Sequence, residues 1–224
     1  MLAMQQQQQQ ANEPTGAAVH VSGVTFQPPG ADVPLLQDAS LTLPPNELGL
    51  IYGRSGSGKT TLLHILAGLQ EQTSGSILTG LVFQFPERHF LGATMAEEIT
   101  FAWPRRPQDV WDQQQLMARA GATLQSVGLA HIDPTTPLRQ LSDGYKRRVA
   151  LAVQMVRKPA LLLLDEPLAG LDWRVRAEVA AMLGELKKEC TVLVVSHDLR
   201  ELSPLVDKAW RMQPGGVLEP AAKP

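Results

Sequence analysis

The run Gly53-Arg54-Ser55-Gly56-Ser57-Gly58-Lys59-Thr60 matches the phosphate-loop pattern G-x-x-x-x-G-K-[ST] at every fixed position. It constrains the fold because such a loop works between a buried strand and the first turn of a helix. Both neighbours are present. Leu48-Gly49-Leu50-Ile51-Tyr52 is a short apolar run leading in, and Thr60 to Leu69 places Leu62, Leu63, Ile65, Leu66 and Leu69 at helical spacing, with Gly68 near the end. Each residue type has a physical task. The glycines let backbone N–H groups turn inward around phosphate oxygens, and the helix adds its positive N-terminal end. Lys59 reaches the β and γ phosphates, and the Thr60 hydroxyl can coordinate Mg²⁺. Residues Gly53 to Thr60, together with Thr61, form the candidate nucleotide-binding set.

The rest of the chain supplies a sheet for that loop. Ala160 to Leu164 and Thr191 to Val195 are continuous aliphatic runs, with a helical pattern over Arg174 to Lys188 between them. Strands buried on both faces and alternating with helices predict a parallel sheet covered on each side. Upstream, Val19 to Phe26 and Leu35 to Leu43 read as strands separated by the turn Gln27-Pro28-Pro29-Gly30. The spacing predicts a helix over Asp109 to Val127 with Val110, Met117, Ala120, Leu124 and Val127 on one face. Another helix starts at Ser142, a good N-cap, and stops before Pro159. The six glutamines Gln5 to Gln10 and the small polar residues around them cannot offset their ordering entropy, so residues 1–18 are expected to be a disordered tail. The first cation of the chain is Arg54, so this tail does not read as a secretory signal or transit peptide.

Charge and cysteine usage exclude several classes. Twenty Lys and Arg against 22 Asp and Glu give a net charge of −2, a poor balance for a protein that binds nucleic acid by neutralising phosphates. The single cysteine, Cys190, excludes an internal disulfide and a multi-cysteine metal site. Fully apolar runs such as Ala160 to Leu164 reach only five residues, far short of the roughly 20 that cross a bilayer. Any membrane contact is expected to go through a partner.

Two further segments carry chemistry. Leu161 to Leu164 ends in Asp165 and Glu166, and alternation along a strand points these carboxylates in different directions. Asp165 is the candidate metal ligand and Glu166 the group that polarises an attacking water. A solvated strand end is the bland alternative, and the phosphate loop upstream weighs against it. His197 follows the second aliphatic strand, beyond the carboxyl ends of a parallel sheet where ligands sit, and a neutral imidazole there could hydrogen-bond a γ phosphate. By position alone it is as readily structural.

In order along the chain, the phosphate loop, Leu141-Ser142-Asp143-Gly144-Tyr145, Leu161 to Pro167, Ala169-Gly170-Leu171-Asp172 and His197 resemble an ATP-binding cassette (ABC) ATPase over about residues 19–218. The resemblance implies a RecA-like α/β core with a small antiparallel β subdomain and a helical subdomain at about 86–158, followed by a short tail, 219–224. It also implies two cassettes facing head to tail, with ATP held between the phosphate loop of one and the signature turn of the other. Carried over residue by residue, Gln84 matches a glutamine that touches Mg²⁺, and Ser142 and Gly144 match signature positions facing nucleotide. Asp172 matches the loop that crosses the dimer interface, and His197 the switch histidine. Lys59, Glu166 and His197 are then the catalytic candidates, and Thr60, Gln84 and Asp165 the candidate metal ligands.

Phe83 to Arg88 and Glu97 to Phe101 look like the ATPases of energy-coupling-factor importers. Leu168 to Trp173 and Ser142 to Arg148 are similar to the plant and algal ABC transporter I family, whose members work in plastids. The resemblance therefore implies an ATPase subunit using ATP and Mg²⁺, a second cassette and transmembrane subunits as partners, and a peripheral place on a chloroplast membrane. Three positions depart from the family. Pro28 stands where an aromatic stacks on adenine, and Asp143 replaces a signature glycine. Only Leu78-Thr79-Gly80 separates Ser76-Ile77 from Leu81 to Gln84, where the family has a longer hairpin. A carboxylate at 143 repels a γ phosphate unless it faces solvent or is balanced by Lys146 or Arg147. The alternative reading is a soluble or partly degenerate ABC protein that serves as an interaction or regulatory subunit.

Overall fold

The structure is a computed structural model that describes residues 15–69, 79–82, 89–101, 103 and 110–224. Its centre is a six-stranded sheet. β3 (Leu48–Gly53), β4 (Thr79–Val82), β5 (Leu161–Asp165), β6 (Thr191–Val195), β7 (Lys208–Met212) and β8 (Leu218–Ala221) lie in the order β4-β5-β6-β3-β7-β8. All neighbours are parallel except β7 and β8, which form an antiparallel edge pair. β1 (Val19–Phe26) and β2 (Leu36–Leu43) pair antiparallel as a separate two-stranded sheet.

The strand sequences explain how this sheet sits between two cores. Successive side chains of a strand face opposite ways, so a continuous aliphatic run feeds both faces. Leu50, Leu162, Leu164, Val192 and Val194 join one core, and Ile51, Leu161, Leu163, Leu193 and Val195 join the other. The second core is closed by β1, β2 and α1 (Lys59–Leu66). The first is closed by α2 (Met95–Thr100), α4 (Asp143–Met155) and α5 (Trp173–Leu186), with the inner residues of α3 (Val110–Ser126). Gly68, with φ of 70°, turns the chain after α1 in a conformation that favours glycine.

Several expectations change. Met117 is 64% exposed and is not on the buried face of α3, which uses Ala120 and Leu124, with Val127 just beyond the helix. The chain is tied down before residue 19: Ala17 N–H donates to the Ala160 carbonyl and Gly16 N–H to Asn46 Oδ1. At the other end, residues 219–221 belong to β8 rather than to a tail. α2, β4, β7 and β8 have no counterpart among the elements read from the sequence. The hairpin departure near residue 78 falls partly outside the described residues, and within them the small antiparallel sheet has two strands.

Candidate functional site

The phosphate loop leaves β3 at Gly53 and enters α1 at Lys59. Gly56 and Gly58 have φ of 78° and 99°, and a Cβ on Gly58 would stand 2.7 Å from Leu36 Cδ2, so glycine is required there on two grounds. Lys59 is buried and its Nζ donates to the Gly53 and Arg54 carbonyls at 3.1 and 2.9 Å. An ammonium has three protons, so one remains for an incoming oxygen. Ser57 is also buried, and its Oγ has no hydrogen-bond partner among the described residues. An orphaned hydroxyl inside a ring of backbone amides suits a phosphate oxygen.

Thr60 Oγ1 donates to both oxygens of Asp165, at 3.2 and 3.1 Å, across from the end of β5. Burial pushes the Asp165 carboxyl above its usual value, opposed by the Thr60 hydrogen bond and raised further by the charge of Glu166. A hydroxyl and a carboxylate are the hard oxygen donors Mg²⁺ takes, and Mg²⁺ keeps waters and phosphate oxygens for its remaining positions. No group of three or more His, Cys, Asp or Glu able to hold a metal occurs among the described residues. Gln84, the third candidate ligand, lies outside the described residues.

Glu166 follows with φ of 47°, a left-handed conformation that costs a non-glycine residue free energy and aims the carboxylate away from the Asp165 side. Ser196 Oγ donates to it at 2.8 Å, His197 N–H at 3.1 Å, and His197 Nδ1 lies at 2.6 Å. A carboxylate only accepts, so Nδ1 carries the proton. The neutral ring then offers a lone pair at Nε2, and donation to a phosphate requires the imidazolium, which corrects the expected neutral donor. Glu166 and His197, the phosphate loop apart from the buried Ser57, Thr61 and Leu35 line a cleft of about 540 Å³, with Ser196 buried behind Glu166. Ser196 and Leu35 were not legible as site residues. Ser196 could have been found from its place beside His197 at the strand end.

The signature turn lies on another element. Ser142 caps α4, its Oγ accepting from Tyr145 N–H at 3.4 Å. Gly144 is buried against α5, where a Cβ would meet Val175 Cγ1 at 2.5 Å. Asp143 pairs with Lys146 at 3.1 Å, whereas Arg147 is buried and its Nη2 donates to the Ala169 carbonyl at 3.3 Å. Asp172 caps α5 through bonds from the Arg174 and Val175 amides, and Arg176 pairs with Asp198 just after His197. Ser142 and Gly144 are not among the residues that line the phosphate-loop cleft. Phe26, near the expected adenine position, packs partly buried against the β1–β2 core.

A phosphate loop on a central parallel strand, a carboxylate pair at the end of β5, a strand-end histidine and a serine-capped helix together define an ATP-binding cassette. The chain belongs to the ABC transporter family, whose pattern its residues 36–169 match. It is 48% identical over 223 residues to ABC transporter I family member 11, chloroplastic, of Arabidopsis thaliana, covering 90% of this chain and 80% of that one. It is 36% identical over 205 residues to the energy-coupling factor transporter ATP-binding protein EcfA2 of Symbiobacterium thermophilum, covering 81% and 69%. The fold matches cbiO1 of Clostridium perfringens, part of the ABC transporter complex cbiONQ, with a TM-score of 0.77, 26% identity, and coverage of 92% and 87%.

Proposed function

We propose that this chain hydrolyses MgATP as a motor subunit, pairing head to tail with a second cassette to drive separate transmembrane subunits. The observation that carries the reading is the Glu166 carboxylate, fixed by Ser196 and His197 in the same cleft as Lys59. The loop amides, Lys59 and Ser57 bind the β and γ phosphates. Thr60 and Asp165 hold Mg²⁺, which when bound neutralises phosphate charge and orients its oxygens. Three donors fix this carboxylate, with Ser196 Oγ on one oxygen, His197 Nδ1–H on the other and His197 N–H bridging both at 3.1 and 3.3 Å, and an attacking water would take the place of the longer arm of that bridge. Glu166 thus orients and deprotonates the water, and His197, held by Glu166 through Nδ1–H, donates from Nε2 to the γ phosphate as the imidazolium. Ser142 and Gly144 complete the site of the opposite cassette with a helix N-terminus.

No helix among the described residues is long and apolar enough to cross a membrane, so a transport role is exercised through partners. The chloroplastic relative supports a plastid membrane as the place. A second reading, an interaction subunit with a weakened signature, is favoured by Asp143. Glu166→Gln separates the two. In the motor reading it leaves MgATP binding intact, stops phosphate release, and accumulates an ATP-bound pair in sedimentation. Turnover at the wild-type rate would assign the base elsewhere, and no turnover in the wild type with its partners present favours the interaction subunit.

A further inference from the structure

Asp143 occupies the first turn of α4, between the cap Ser142 and the buried Gly144. An acid there suits the isolated fold, because the helix N-terminus carries partial positive charge. It does not suit an approaching polyphosphate, whose charge it repels. The Tyr145-Lys146-Arg147-Arg148 run that follows divides its cations among different tasks. Arg147 reaches back to the Ala169 carbonyl. Arg148 bonds the Val127 carbonyl, pairs with Glu178 on α5 and lies over the Tyr145 ring. Lys146 pairs with Asp143 at 3.1 Å; the lysine side chain is 18% exposed and the aspartate 70%. The cation is therefore held against the protein, while the carboxylate stands at the surface that the signature turn presents.

We infer that Lys146 is the counter-ion that makes an acidic signature turn compatible with the terminal phosphate of a nucleotide held by a second cassette. It is a positioning residue: it cancels the charge of Asp143 and holds that carboxylate along the helix surface. The inference rests on the head-to-tail pairing proposed above. The exposed Asp143 carboxylate is screened by salt, so its repulsion of a phosphate, and the need for Lys146 to offset it, is greatest at low ionic strength.

The test measures ATP-driven pairing by sedimentation in the Glu166→Gln chain, with KM and kcat for ATP measured in the Glu166 chain. Lys146→Ala is expected to weaken pairing about fivefold at low salt and to raise KM more than it lowers kcat. Lys146→Arg keeps near-normal pairing, which controls for folding, and high salt narrows the Lys146→Ala defect. Adding Asp143→Gly to Lys146→Ala restores pairing, because the charge that needed cancelling is gone. Unchanged pairing of Lys146→Ala at low salt overturns the inference. So does a double variant as weak as Lys146→Ala alone, which would mean that Lys146 acts independently of Asp143. Absence of ATP-driven pairing in every variant overturns the head-to-tail reading itself, and this inference with it.

Discussion

Gly144→Ala places one methyl group where α4 meets α5. The new Cβ would lie 2.5 Å from Val175 Cγ1, and ordinary contact begins near 3.4 Å, so the two helices or the valine must give by about 1 Å. Val175 is branched at Cβ and sits in the first turn of α5 beside the Asp172 cap, which limits its rotation. Overpacking of this kind costs about 1–3 kcal/mol, and alanine's better helix propensity returns less than about 1 kcal/mol. The net loss of about 1–2 kcal/mol corresponds to a fall of about 2–8 °C in Tm for a chain of this size. Because the strain falls one residue from Asp143 and two from the cap Ser142, ATP turnover should fall with it. The assay is thermal unfolding and phosphate release for Gly144→Ala, Val175→Ala and the double variant. Val175→Ala removes the atom that clashes, so the double variant should be more stable than the sum of the single effects predicts, by about 1–2 kcal/mol. A Gly144→Ala chain with unchanged or higher Tm, or strictly additive effects, would refute the packing argument.

Two substitutions and one reagent probe other parts of the account. Asp165 has a raised carboxyl pKa, so its contribution to stability is full below the unfolded value near 3.8 and is lost as pH rises through the folded value. Asp165→Asn should therefore unfold at higher denaturant than wild type at neutral pH, with the gap closing toward acid, while weakening Mg²⁺-dependent nucleotide binding. Asp207 behaves oppositely: burial is outweighed by the Leu48 amide and Lys187, its carboxyl is held low, and its contribution is lost as pH falls through that value. Asp207→Asn should be less stable than wild type at neutral pH and converge with it in acid. Burial and the neighbouring Glu189 charge push the Cys190 thiol up to about 12, so iodoacetamide at about pH 8 should leave it unlabelled until the chain is unfolded.

Much of the cassette was legible because its signals are local. The phosphate loop specifies a strand before it and a helix after it, and both formed, as β3 and α1. The aliphatic runs became β5 and β6, and Ser142 did cap a helix that ends before Pro159. What was not legible depends on distant partners. β7 pairs with β3 across more than 150 residues, and its Lys208-Ala209-Trp210-Arg211-Met212 run is too short and too irregular in polarity to announce a strand alone. Met117 fits a helical stripe by spacing, yet the face that α3 buries is decided by where α4 lies. The choice between Lys146 and Arg147 as the partner of Asp143 could not be read from adjacent positions. One turn of helix carries Lys146 back to the carboxylate, while Arg147 is drawn into the core by the Ala169 carbonyl.

The central claim is that Lys59 and its loop bind the phosphates of ATP, and the most direct test is a MgATP titration of the purified wild type against Lys59→Ala. Lys59 contributes a buried ammonium with one proton to spare at the centre of the loop. Its loss removes a charge-assisted bond to the β and γ phosphates, and the account predicts saturable binding by wild type and at least about a hundredfold weaker binding by Lys59→Ala. Equal affinity in the two chains would contradict the account.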